Sequence, residues 1–342
     1  MLSRQALWQT LASTAILAAA GLGSSQPAKT ASTTGTASIV PVSLTNEQVA
    51  ATVNGEKILV GDVRKILDAR PYPLPLTEEQ KKEMRKAAID ALVDDALMRH
   101  FLTKHVPQVN QAEFNKEVQE LVEALKKQNK TLDMFYKETG QSEEILRRDI
   151  VAKLQWRTLL QRYLPDADAK KYYDENKPFF DKVFVRASHI LIKLPPKPSV
   201  EQRNKAMQQL QVWRQEIVTG KARFEDIAKQ YSQCVSKDKK DKDNKETPGD
   251  IGQFPYKFVV VPELSKAAFS MKVGEVSDVV QTVFGVHLIK VTERTKGEPS
   301  TFEPLKDTVR EVWAQDRELF VTVLADEREK GKKSGQIKID LQ

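Results

Sequence analysis

Ala187-Ser188-His189-Ile190-Leu191-Ile192 and, further along, Phe284-Gly285-Val286-His287-Leu288-Ile289-Lys290-Val291 decide how this chain is read. Each sets a histidine inside an alternating, β-branched run, the period-two pattern of a strand. Neighbours in a strand point to opposite faces, so Ile190 and Leu288 face away from their histidines. If the two strands pair, both imidazoles reach one face of one sheet.

Around these runs lies a chain of 342 residues, long enough for two domains with substantial cores. It is 30% charged and 40% hydrophobic, the balance of a globular protein with a generous polar surface. The net charge of +7 is mild. Nucleic-acid binding is not expected, because it needs a denser basic stripe and a base-reading motif. Residues 1–23 read as a secretory signal peptide: Arg4, then an apolar and small-residue run from Leu7 to Leu22, with Ala18-Ala19-Ala20 as a cleavage site. The rival reading is a membrane anchor. Gln9, Thr10, Ser13 and Thr14 interrupt the run, which falls short of the roughly 20 apolar residues of a span. No cysteine follows it, so a lipid anchor is not expected. Cys234 is the one cysteine, so no intrachain disulfide can form.

Residues 24–44, rich in Ser, Thr, Ala and Gly, read as a flexible linker. In Val53-Asn54-Gly55-Glu56-Lys57-Ile58 an Asn-Gly turn joins two apolar stretches, a strong hairpin signal. After a loop with Pro71, Pro73 and Pro75, Thr77-Glu78-Glu79-Gln80 is a capping box opening a helix. Phe114, Val118, Leu121, Val122 and Leu125 mark a second helix; a third runs from Ser142 to Tyr163 and ends before Pro165. From Asp181 the pattern changes: strands over 183–193, 250–254, 277–283 and 286–292, and helices over 199–219, 224–232 and 262–270. The charged run 235–249 reads as a solvated, mobile loop. From Phe302 the helical pattern returns through Val309, Val312, Trp313, Phe320 and Leu324, and the chain ends on alternating Ile337, Ile339 and Leu341. This last segment has no core of its own. It is expected to pack back on the N-terminal helices, the alternative being a free coiled segment.

The segment 181–294 resembles the parvulin family of peptidyl-prolyl isomerases. The resemblance is carried by Ala187-Ser188-His189-Ile190-Leu191, Tyr231-Ser232-Gln233-Cys234, Gly249-Asp250-Ile251-Gly252-Gln253-Phe254, Ala267-Ala268-Phe269, Val273-Gly274-Glu275-Val276-Ser277 and Thr282 through Ile289, in that order. The Asn-Gly element and the helices after it are similar to the peptide-binding domain of the SurA and PrsA extracytoplasmic chaperones. The resemblance implies an α+β fold. A four-stranded antiparallel sheet with surrounding helices would make the isomerase domain (181–294). A mainly helical chaperone domain (45–180) would be completed by residues 295–342. It implies that His189 and His287 form a central hydrogen-bonded pair, with the Thr282 hydroxyl beside them and Cys234 at a polar position usually filled by Cys or Asp. Ile251, Phe254, Val260, Leu264 and Phe269 would line the proline pocket. Val260 stands where the family often has Met, and Leu264 where it often has Phe.

The implied activity is prolyl isomerisation on unfolded, exported polypeptides, in the periplasm or outside the cell. Rotation about an X–Pro bond breaks no bond, so it calls for no cofactor and no metal. One cysteine and two distant histidines also lack metal-ligand spacing. A Cys–His thiol hydrolase is the competing chemistry, but the local signatures of such enzymes are absent. A histidine pair that only joins two strands is the structural alternative. A holdase chaperone with a weak or inactive isomerase domain is the functional one. His100 and His105 lie near the end of the first long helix, without partners at ligand spacing.

Overall fold

The computed structural model describes residues 39–68 and 76–341. The expected signal peptide, the linker before residue 39 and the Pro71, Pro73, Pro75 loop lie outside them. Two compact units divide the chain: Met1–Asp166 with Asp307–Gln342, and Ala167–Lys306.

The first unit opens on a hairpin, β1 (Val49–Val53) and β2 (Glu56–Leu59). Its turn residues Asn54 and Gly55 both take positive φ, 51° and 86°, as a two-residue type I′ turn requires. Helix α1 (Val60–Asp68) follows, then α2 (Glu78–His105). The capping box forms: Gln80 N–H donates to Thr77 Oγ1 (3.2 Å), and Thr77 N–H donates to Gln80 Oε1 (2.9 Å). Helices α3 (Gln111–Lys126), α4 (Leu132–Thr139) and α5 (Glu143–Tyr163) close on a small core of Leu121, Leu125, Phe135, Leu146, Ile150 and Leu154. Ile39 and Val40, expected in the flexible linker, are instead buried in the unit's main core beside Val53, Val93 and Met98. Apolar side chains at a linker's end follow the nearest core.

The second unit holds α6 (Asp166–Glu175, its first residue still in the first unit), the short α7 (Lys177–Phe180), β3 (Phe184–Lys193), α8 (Val200–Val218), α9 (Phe224–Tyr231), β4 (Asp250–Pro255), α10 (Pro262–Ser270), β5 (Val280–Thr282) and β6 (Gly285–Arg294). The strands make one antiparallel sheet in the order β4-β3-β6-β5. Ile190, Val286 and Leu288 bury one face against Leu210, Phe224 and Ile227 of α8 and α9. Ala187, Ile289 and Val291 bury the other against Leu264 and Ala268 of α10.

The chain then returns to the first unit through α11 (Lys306–Asp316), α12 (Leu319–Lys333) and β7 (Ile337–Ile339). Strand β7 pairs antiparallel with β1, Thr52 opposite Lys338. Arg328 of α12 ties to Asp90 and Asp94 of α2, and Phe320 and Leu324 enter the main core.

The run 235–249 is an excursion exposed over most of its length, as expected, and braced by internal hydrogen bonds. Residues Val235–Asp238 form a 3₁₀ turn, the Asp241 carboxylate accepts the Asp243 and Lys245 amides, and Gly249 N–H donates to the Ser236 carbonyl. The strand expected over 277–283 is confined to Val280–Thr282, because the chain before it meets β6 through an isolated bridge, Val276 opposite Lys290, and scattered bonds such as Ser277 N–H to the Ile289 carbonyl. The closing helical pattern is two helices, broken where Glu318 takes a left-handed φ of 50°. Helices α1, α4, α6 and α7 were not anticipated. Each is short, and a few turns give periodicity too little length to stand out.

Candidate active site

Register brings the histidines together. In the β3–β6 pair His189 lies opposite Ile289 and His287 opposite Leu191. The two imidazoles are therefore diagonal neighbours on one face, the distance at which large side chains still meet. Their Nδ1 atoms are 3.2 Å apart, and the rings stack at 5.3 Å with 30° between planes. His287 Nε2 lies 2.8 Å from Thr282 Oγ1, which also accepts the Phe284 amide (3.1 Å). Both histidines are buried.

Burial sets their charge. Desolvation lowers the pKa of His189 to about 4. Desolvation, and then repulsion from His189, lowers that of His287 to about 4. Both rings are neutral at pH 7, and each carries one N–H. One proton lies between the two Nδ1 atoms, which leaves two consistent arrangements. If Thr282 donates to His287 Nε2, then His287 Nδ1–H donates to His189, and His189 Nε2 carries a proton. If His287 Nε2–H donates to Thr282, then His189 Nδ1–H donates to His287, and His189 Nε2 is a bare acceptor. The two arrangements differ in ring protons as well as in the hydroxyl's direction. Passing from the first to the second brings a proton to His287 Nε2, moves the shared proton onto His189 Nδ1 and releases the one on His189 Nε2, so the far end is a donor in one and an acceptor in the other. That end is buried and has no hydrogen-bond partner among the described residues.

Glycine shapes the edges of this face. His189 N–H donates to the Gly249 carbonyl (2.9 Å). Gly249 has φ of 81°, and a Cβ there would lie 2.6 Å from the His189 carbonyl oxygen. Gly285, at the tip of the β5–β6 hairpin, has φ of 140°, and its Cβ would come within 2.1 Å of the Ile192 carbonyl oxygen. Only glycine fits either place. Beside Gly249, Asp250 is held by a two-pronged Arg186 contact (3.2 and 2.9 Å) and accepts the Gly252 amide (2.9 Å). Burial pushes its pKa up, but Arg186 and the Gly252 amide outweigh that and hold the carboxyl below its ordinary value.

The remaining expected site residues divide into two sets. Ile251, Val260 and Phe269 are half-buried and pack on the apolar cluster that includes Ile289. Leu264 and Phe254 are buried in that cluster, beneath the three half-buried side chains. Cys234 is half-buried, and no hydrogen bond joins its thiol to either imidazole among the described residues. Its backbone amide leans on Ser232 Oγ (3.4 Å), which also accepts the Leu191 amide (3.1 Å). Ser232, Gly249 and the Arg186–Asp250 pair were not singled out from the sequence. Each belongs to or adjoins a quoted motif, but its role depends on a cross-strand contact that spacing does not show. His100 sits between Asn54 (2.8 Å) and Glu56 (2.9 Å), and His105 lies against Phe101 with the rings tilted 37°; both are in the other unit. A cavity of about 990 Å³ in the second unit includes none of these site residues. Its lining charges are largely paired, Arg214 with Asp278 and Lys290 with Glu225.

A neutral imidazole pair with a threonine at one end and an apolar cluster beside it, on a β4-β3-β6-β5 sheet, defines a parvulin-type rotamase. The family model described as rotamase, PPIC-type PPIase domain, matches residues 189–293. Three similar proteins are the foldase protein PrsA of Geobacillus kaustophilus, the foldase protein PrsA of Caldanaerobacter subterraneus and the peptidyl-prolyl cis-trans isomerase Pin1 of Malus domestica. The first is 30% identical over 68% of this chain and 69% of its own length. The second is 29% identical over 79% and 80%. The third is 39% identical over 32% of this chain and 93% of its own length. The chain belongs to the PrsA family of parvulin-type foldases, and its isomerase domain makes it a peptidyl-prolyl cis-trans isomerase.

Proposed function

We propose that the Thr282–His287–His189 chain is the catalytic centre, and that its substrates are X–Pro bonds of unfolded, exported polypeptides. The barrier to be lowered is about 18–20 kcal/mol, which leaves isomerisation slow enough to limit folding. Catalysis then requires that the twisted amide be bound better than either planar isomer. In this reading Ile251, Val260 and Phe269 form the wall that receives the proline ring, over Leu264 and Phe254. The imidazole chain lies beneath this wall and sets its polarity. His189 Nε2 is sealed from solvent, so it reaches the rotating amide, whose nitrogen gains basicity as conjugation is lost, once the wall parts to admit the prolyl segment. Cys234 adjusts the polarity of the rim and forms no covalent intermediate.

The observation that carries the reading is the buried, unpartnered His189 Nε2 at the end of a neutral chain. A fully satisfied structural pair would leave no such group. The signal peptide read in residues 1–23 places the activity in the periplasm or outside the cell. The domain expected over 45–180, completed by 295–342, holds client chains while the domain expected over 181–294 isomerises them.

The test is a proline-peptide isomerisation assay on the full chain. Wild type accelerates the reaction, and His287→Ala and His189→Ala each lose most of that acceleration while remaining folded by circular dichroism. Equal rates for wild type, both variants and buffer would end the enzymatic reading and leave the holdase one.

A further inference from the structure

Thr282, which bonds His287, is followed at the hairpin tip by Val283 and Phe284, 77% and 59% exposed. The tip is fastened through its backbone. Phe284 N–H donates to Thr282 Oγ1 (3.1 Å), and the Phe284 carbonyl accepts the Leu194 amide (3.3 Å). Gly285, confined by the Ile192 carbonyl, holds the turn against β3. The Phe284 side chain takes no part in these contacts. Single exposed apolar residues are ordinary. Two large ones side by side, at the tip of the hairpin and one hydrogen bond from the imidazole chain, make an exposed apolar pair next to the site.

We propose that Val283 and Phe284 form a subsite for a large apolar or aromatic side chain flanking the prolyl bond. The enzyme thereby selects X–Pro segments destined for a client's core. This rests on the isomerase reading above. Backbone and side chain divide the work: the Phe284 amide positions Thr282, and the ring binds substrate.

The experiment measures isomerisation by the full chain on peptides carrying Phe, Leu, Ala, Gln or Glu before or after proline. Wild type favours the Phe and Leu peptides. Phe284→Ser keeps the backbone amide, so it raises KM for those peptides about tenfold, leaves kcat unchanged and erases the preference. Phe284→Leu restores most of it. Val218→Ser, at a position also 59% exposed and in α8, changes nothing. A preference that survives Phe284→Ser overturns the proposal. So does a fall in kcat shared equally by all peptides, which would mark a structural role. Lys193, opposite Gly285 in register, supplies the competing determinant. A salt-dependent preference for Glu that persists in Phe284→Ser would assign selectivity to it and overturn the apolar subsite. If wild type itself runs at the uncatalysed rate, the isomerase reading fails along with this one. If wild type is active and Phe284→Ser retains the preference, this inference alone fails.

Discussion

His189 and His287 are kept uncharged by their burial. With both pKa values near 4, the pair stays neutral from pH 8 down to about 5. A pH–rate profile is therefore expected to be flat across that range and to fall through pH 4 as the rings protonate. A fall centred near 6.5 would mean that the imidazoles titrate like solvent-exposed ones. Thr282 is the switch in the proton arithmetic. Thr282→Val keeps the shape and removes the hydroxyl, so kcat is expected to drop roughly ten- to a hundredfold. The Phe284 amide also loses its acceptor there, so Thr282→Ser is the control that should recover activity.

The β4 and β6 edges show how an element can depend on one residue. Gly249 lies where the excursion from α9 rejoins the sheet against the His189 backbone. Gly249→Ala adds a methyl at 2.6 Å from a carbonyl oxygen, at φ of 81°. A loss of about 2–4 kcal/mol in urea unfolding of the second unit is expected. The α2 start offers a milder case: Thr77→Ala removes one side of a reciprocal cap and should cost about 1 kcal/mol in the first unit. The hairpin turn, the α2 cap and the start of α5 at Ser142 were all legible in the sequence. Each depends on interactions within a few residues. The short α1, α4, α6 and α7 were not, since tertiary packing supplies most of the stability of so few turns.

Acid should act on the two units differently. In the second unit the imidazoles have folded pKa values below the usual 6.5, so between about pH 6.5 and 4 the unfolded chain binds more protons. Stability there falls as pH falls, by roughly 3 kcal/mol for each imidazole at the limit. Asp250 adds to the trend, because a lowered carboxylate pKa gives stability that is lost on acidification. In the first unit, burial, with repulsion from Asp95, raises Asp149 to about 6 despite Arg148. Burial likewise raises Glu311, against the hydrogen bond from Trp156. Those two carboxyls give up a penalty as they protonate, so both favour the folded state on acidification, Asp149 through about pH 6. Tryptophan fluorescence separates the units: Trp213 reports the second, and Trp156 and Trp313 the first. Between pH 7 and 4.5 the urea midpoint seen with Trp213 alone should fall further than that seen with Trp156 and Trp313. A common shift would refute it.

By themselves, the residues determined the strands, the caps and the identity of the isomerase motifs, because alternation and short-range hydrogen bonding are written in neighbouring positions. They also put both histidines on strands, and alternation set each apart from its apolar neighbours. Only the tertiary structure decided that β3 and β6 pair with His189 diagonal to His287, since a one-residue slip would send one ring to the opposite face. It alone brought the last strand to β1, and separated Leu264 and Phe254, buried, from Ile251, Val260 and Phe269, half-buried. Register and burial are properties of contacts between distant segments, and a single chain's spacing carries no term for them.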